Sequence, residues 1–480
     1  MDFNKIDYFN RMNLRSYIEK IHKPDDFKLT GATKDYYLDI IEICVNTYKP
    51  EDLENELPKN EWEKLKDIHA FARITSGIGI LIANGRKKEF YGLWLRMMDA
   101  CCRYFYRTTG NTGVDFSVKE IMLAYFAMKD KVPPAKREEW KELLSKIDVY
   151  KNYTQWRRTT EEAMRLSNIN VYNMVGEYLR EKEGMTDTAE YFDIHWPAQL
   201  KRFDENGMYM DPGCPLLYDL TTRCQIQIMI GMGYRGKFFE SLDANLKKAG
   251  LWTLFMQSSS YELPFGGRSN QFLFNEGLIA ANCEYEAVRY KKEGDLKLAG
   301  MFKRSARLAA LSIKRWLGAK PPRHIKNFYP VESLHGTEGY GYYDKYMMTL
   351  GCFIYIAYLF ADDSIEEYPC PAEAGGYIVK TSDDFHMVFA NCRGNSIQIN
   401  TKADFRYDST GLGRYHRRGF PTELALSVPF TAAPNYNLAK GLKSTNLAIG
   451  PGWQDENGKV QYLSELSENL NNTIELGCIS

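Results

Sequence analysis

Between residues 33 and 361 apolar side chains recur every three or four positions, the period of helices that bury one face. The pattern predicts helices over 33–48, 61–83, 87–107, 115–129, 135–147 and 161–183. It continues over 187–204, 217–232, 238–257, 271–292, 295–317 and 343–361. Breaks fall at Pro50, Pro58, Gly85, Gly110, Gly113 and the Pro133, Pro134 pair, residues that interrupt helical hydrogen bonding or its backbone angles. In the 295–317 segment Leu298, Phe302, Ala306, Ala309, Ile313 and Trp316 mark one face, while Lys303, Arg304, Arg307 and Lys314 mark the other. That helix is expected to pack on one side only.

About a dozen helices with mostly short connections imply successive antiparallel hairpins. No fixed-period solenoid consensus is present. The preferred arrangement is a closed or partly closed ring, whose inner ends would gather loops from distant parts of the chain around one cleft. Near residue 362 the texture changes. Pro369, Pro371, Gly375 and Gly376 read as a linker, and the stretch from Gly376 to Lys402 alternates and turns as strands do, with turns at Asp383, Asp384 and Gly394. LALSVPF and KVQYLSEL extend the strand pattern. The expected organisation is a mainly α domain over 1–362 followed by an antiparallel β domain over 363–480, either a small sheet docked on the helices or an incomplete sandwich.

Composition narrows the function. An apolar fraction of 44% supports a sizeable core. Lys plus Arg and Asp plus Glu are equal at 62 each, so no nucleic-acid partner is expected. No run approaches eighteen apolar residues, so no membrane partner is expected. The first residues show no apolar signal region, which makes the cytoplasm the expected compartment. The ten Cys include one adjacent pair, Cys101 and Cys102, and no CxxC, a pattern of reduced core thiols. The seven His form no HExxH, and neither a metal nor another cofactor is expected. Oligomeric state is not legible. The 33 Tyr suit the walls of a cleft for sugars as well as a core.

One stretch concentrates chemistry: Tyr261 to Glu276, YELPFGGRSNQFLFNE. Gly266 and Gly267 permit positive φ and close approach to the backbone, and Arg268, Ser269, Asn270, Gln271, Asn275 and Glu276 follow before a helix. Ser269 as a helix cap accounts for part of this pattern; the full set reads as a pocket floor. Two further stretches stand out, SNINVYNMVGEYLR (Ser167 to Arg180) and GMYMDPGCPLLYDL (Gly207 to Leu220). With ELPFGGRSNQ, and with helices followed by strands, they resemble the (α/α)-toroid carbohydrate-active enzymes. That architecture is shared by heparinase-type and alginate-type polysaccharide lyases and by several toroid glycoside hydrolases. The resemblance implies a toroid of helical hairpins with a trailing β domain and an oligosaccharide substrate.

A lyase acting on a uronic acid must neutralise the carboxylate, remove the C5 proton and protonate the leaving oxygen, tasks for Arg or Asn and for His or Tyr. The catalytic candidates are Arg268, Asn275 and Glu276, with His335, Tyr340 and Tyr342 from HGTEGYGYYDKY. Gly339 and Gly341 would aim the tyrosines; packing at the helix start explains them equally. Substrate-binding candidates are Asn168, Asn170, Asn173, Asp211, Asp219, Asn270 and Gln271. Arg414 and His416, in a basic stretch from Tyr407 to Glu423, would meet an acidic sugar across an interdomain cleft. A glycoside hydrolase would instead need two carboxylates, from Asp115, Asp211, Asp219, Glu276 and Glu338. Asp115 also reads as a helix cap with Glu120 exposed behind it, and Asp211 as a turn former. Degradation of uronate-containing oligosaccharides, with elimination favoured over hydrolysis, is the expected activity. A non-catalytic helical scaffold is the remaining alternative; the Asp pairs lack the partners of an acidic metal motif.

Overall fold

The computed structural model describes residues 14–60, 63, 65–263, 266–404, 406–408, 410–420, 437 and 452–462. Among these, the long helices run in chain order α1 (Asp35–Val45), α2 (Ile68–Ala83), α3 (Tyr91–Arg107), α4 (Thr112–Met128), α5 (Pro134–Ser145) and α6 (Asn168–Lys182). They continue as α7 (Ala189–Leu200), α8 (Leu216–Gly231), α9 (Phe239–Met256), α10 (Phe274–Glu293), α11 (Leu296–Ser312) and α12 (Tyr343–Phe360). Local chemistry sets their ends. Asp67 accepts from the His69 and Ala70 amides at the start of α2, Asn111 caps α4 and Asp295 caps α11, each satisfying an orphan amide. Pro134 opens α5, and Gly294 closes α10 in the left-handed conformation.

Even- and odd-numbered helices bury different amounts of surface. α3 shows a single stripe of Leu93, Trp94, Met97, Met98, Cys101, Cys102 and Phe105. α2, α4, α6, α8, α10 and α12 are instead buried around most of their circumference. The even-numbered helices pack on one another in order from α2 to α12, and α12 also packs on α2. Most odd-numbered helices lie against them: α1 on α12 and α2, α3 on α2 and α4, α7 on α6, α9 on α8 and α10, and α11 on α10, while α5 packs on α3. Burial forces the charged residues of the even helices into pairs. Arg180 binds Glu177, Arg223 binds Asp219 at 2.6 Å, and Lys119 binds Glu120 at 2.5 Å.

Several expectations are corrected. The 161–183 segment is two helices, Thr160–Ala163 and α6. Pro50 begins a short helix, Pro50–Glu56, as proline can at a first helical position. The charged face of α11 is not solvated. Arg307 donates to Glu284 at 2.6 Å, Arg304 to Glu367 and Glu373, and the Lys303 ammonium to the carbonyls of Asp363 and Ile365. The segment after α12 folds back over it. Glu120 is likewise buried beside Lys119.

The strands β1 (Tyr377–Lys380), β2 (Met387–Cys392), β3 (Asn395–Asn400) and β4 (Gly411–Arg417) form an antiparallel meander in that order. The β2–β3 turn is two residues, Arg393 and Gly394, both at positive φ, the backbone that matches strand twist. β5 (Gly452–Gln454) and β6 (Val460–Tyr462) pair separately. Tyr377, Val379, Phe385, Met387 and Phe389 join the apolar core of the helices. The Ser259 amide donates to Ser396 Oγ at 2.9 Å, and the Tyr377 hydroxyl to the Phe255 carbonyl at 3.1 Å. The Pro371 region is a short helix, Pro371–Ala374. The expected strand LALSVPF and the end of KVQYLSEL lie outside the described residues. The described part is therefore mainly helical with a small C-terminal antiparallel sheet. Among the described residues no helix is long and apolar enough to cross a membrane.

Candidate active site

The loop ahead of α10 is shaped by its own polar residues. Gly267 has φ +84, where a Cβ would lie 2.7 Å from Pro215 Cβ; only glycine suits both conditions. Ser269 follows at φ 63, an uncommon conformation for a residue with a Cβ. Asn270 Nδ2 donates to the Gly267 carbonyl at 2.7 Å and Asn275 Nδ2 to the Asn270 carbonyl at 2.7 Å. Gln271 Nε2 reaches the Gly336 carbonyl at 2.9 Å. Glu276 accepts from the Leu263 amide at 3.0 Å and from Lys326 at 2.9 Å. Asn275 and Glu276 are fully buried. These four side chains hold the loop, which corrects the expectation that Asn275 and Glu276 are catalytic and that Asn270 and Gln271 meet substrate. Pro264 and Phe265 lie outside the described residues.

Three distant stretches converge on the next turn. The Arg268 guanidinium binds Asp211 and lies 4.3 Å from the centroid of the Tyr218 ring. Asp211 also accepts from the Asn168 amide at 3.2 Å and its Nδ2 at 2.7 Å. The Asp211 side chain is fully buried, whereas that of Arg268 keeps 28% of its surface exposed. Ser269 Oγ shares hydrogen bonds with the hydroxyls of Tyr340 and, at 3.3 Å, Tyr218. Glu338 accepts from the Ser269 amide, and its other oxygen has no partner among the described residues. Asp408, from the loop between β3 and β4, accepts from the Gly267 amide at 2.6 Å. Thus Arg268, Asp211, Asn168 and Tyr340 come together as the sequence suggested, joined by Tyr218, Ser269, Glu338 and Asp408.

Burial sets the electrostatics. It pushes the Glu338 carboxyl up, opposed by hydrogen bonds from Tyr340 and Ser269 and by Arg268. Burial and the nearby Tyr218 and Glu338 push the Tyr340 phenol up as well, so Tyr340 rests neutral. Burial raises Asp408 to about 7, with Asp404 and Glu338 adding to it. Tyr340 packs among Phe272 and Tyr346, at ring separations of 6.1 and 5.8 Å.

Other candidates sit elsewhere. Tyr342 flanks the first turn of α12 and is 54% exposed. The His335 ring packs edge-on against Tyr329 at 5.6 Å. Asp219 is fully buried in a two-point pair with Arg223 and accepts from the Tyr209 amide at 2.8 Å. Asn170 donates to the Gln155 carbonyl at 2.8 Å and to Tyr191. Asn173 donates to Asp115 at 2.8 Å. Asp115 does not cap α4; from within that helix it accepts from Thr154 and Gln155 and pins their loop to α4. Arg414 and His416 belong to strand β4, not to an open turn. They line a small cavity with Phe255, Gln257, Ser396 and Gln398. Burial, with Arg414 and Lys326, drives His416 well below the usual imidazole range.

The one signal that could have separated Asp219 from the site is its spacing to Arg223, four residues on along a helix. Ser269, Tyr218 and Asp408 carried no such signal. Among the described residues no group of three or more His, Cys, Asp or Glu is placed to hold a metal ion. No family model matches this chain, and no curated protein is detectably similar to it, so the geometry around Arg268 is what speaks to function.

Proposed function

We propose that this protein is an (α/α)-toroid enzyme that cleaves uronate-containing oligosaccharides by β-elimination. The contact order of α2, α4, α6, α8, α10 and α12, returning to α2, supports the toroid. The observation that carries the chemistry is the placement of Arg268 and Tyr340. Both are only half-buried, and both rest on one hydrogen-bonded frame of Asp211, Ser269 and Glu338. Arg268 meets the substrate carboxylate, which makes the C5 proton more acidic.

A neutral phenol can accept that proton only by releasing its own, and Glu338, close enough to act on the Tyr340 phenol, takes it. The C5–H electrons then form the C4=C5 double bond, the C4–O bond breaks, and Tyr218 supplies the proton for the leaving oxygen. Incubation with a panel of uronate oligosaccharides, followed by absorbance of the unsaturated product and by reducing ends, tests this. Unsaturated product supports the reading. Reducing ends without it would assign hydrolysis, with Glu338 as the acid; neither product would overturn enzymatic cleavage of these sugars.

A further inference from the structure

Helix α2 places His69 and Arg73 one turn apart on one face. Both pack on Phe116 of α4. The imidazole stacks at 4.4 Å with an interplanar angle of 9°, and the guanidinium carbon lies 5.9 Å from the ring centroid. Arg73 is 3% exposed, yet its side chain's one hydrogen bond among the described residues goes to a neutral group, the Thr349 hydroxyl. Its Nε has no partner, and neither has Nε2 of His69, itself 9% exposed. The nearby Glu120 is already paired with Lys119. Buried guanidinium groups elsewhere in these helices meet carboxylates: Arg180 with Glu177, Arg223 with Asp219 and Arg307 with Glu284. A buried charge is costly unless paired, and Arg73 alone of these four lacks a counter-ion among the described residues.

We infer that Arg73 and His69 form a second carboxylate subsite, which takes the uronate next to the one held by Arg268. Arg73 supplies the charge and a fork of donors, and the His69 Nε2 one further polar contact. Burial, with Arg73, Lys345 and Lys119, keeps His69 neutral. Tyr346 connects the two subsites: its ring is 5.8 Å from that of Tyr340, and both Arg73 and Glu338 act on its hydroxyl. Phe116 and Tyr346 remain half-buried, leaving apolar ring surface on which a sugar can stack.

This inference rests on the uronate reading but not on elimination, and calorimetric titration with free glucuronate separates the two. In the Arg268→Met protein, glucuronate binding is expected to persist. Adding Arg73→Met should weaken it at least tenfold, adding Arg73→Lys should weaken it less, and glucose should not bind. Equal affinity with and without Arg73→Met, or equal binding of glucose and glucuronate, would overturn the subsite. Thermal unfolding controls for folding. Removing an unpaired buried charge should leave Tm unchanged or raise it, whereas a drop of several degrees would make Arg73 structural and also overturn the proposal. Glucuronate binding that depends on Arg73, without unsaturated product from the panel, would sink elimination and leave the subsite standing.

Discussion

Asp408→Asn isolates the contact that ties the sheet to the Arg268 loop. The Asp408 carboxyl is buried and raised from the usual 3.8 to about 7, chiefly by burial. Its folded-state pKa therefore lies above its unfolded one. The folded protein keeps a proton that the unfolded chain has lost, so the contribution to stability is full below about pH 4 and is lost as pH rises to about 7. At 1.36 kcal/mol per pH unit, a rise of roughly three units amounts to about 4 kcal/mol. Asparagine keeps an oxygen for the Gly267 amide, which Asp408 binds at 2.6 Å, and removes the charge. Urea unfolding at pH 4 and pH 8 measures the effect. The two proteins should be nearly equal at pH 4, with Asp408→Asn more stable by about 2 to 4 kcal/mol at pH 8. Glu276 and Glu286 are also raised to about 7, but they are common to both proteins and cancel in the difference. A variant less stable than the parent at pH 8, or a difference independent of pH, would refute the reasoning.

Arg268→Ala should abolish turnover and also cost about 3 kcal/mol, because it strands the buried Asp211 carboxylate; Arg268→Met with Asp211→Asn should recover stability in denaturant titration but not activity. Tyr340→Phe should lower turnover on a uronate oligosaccharide by roughly a hundredfold or more, while Tyr342→Phe, at an exposed position, leaves it unchanged; equal effects would remove Tyr340 from the mechanism. Ending the chain at Asp362 should yield a protein that aggregates or melts without cooperativity in circular dichroism, since β1 and β2 complete the helical core and Glu367 and Glu373 neutralise Arg304; a stable, active helical fragment would contradict this.

What the sequence determined alone was local. The three-and-four spacing located the long helices, Pro134 the start of one, and Gly394 a hairpin turn, because backbone periodicity and φ preference act between near neighbours. The site was legible in part. Three polar stretches pointed to Asn168, Asp211 and Arg268, and these meet. Periodicity could not sort the remaining polar residues into those that build the loop and those that face a ligand. Asn275 turned inward to donate to backbone carbonyls, and Glu276 to accept from the Leu263 amide and Lys326. Tyr340 and Tyr342, two residues apart, separated into the cluster and the surface. The charged face of α11, read as solvated, was covered by the segment that follows α12. Only the tertiary structure joined Glu338 to Ser269 across 69 residues and Asp408 to Gly267 across 141. Such pairings are decided by which groups burial leaves without water once the helices have packed, and a buried polar group takes whatever partner the closed chain brings within reach.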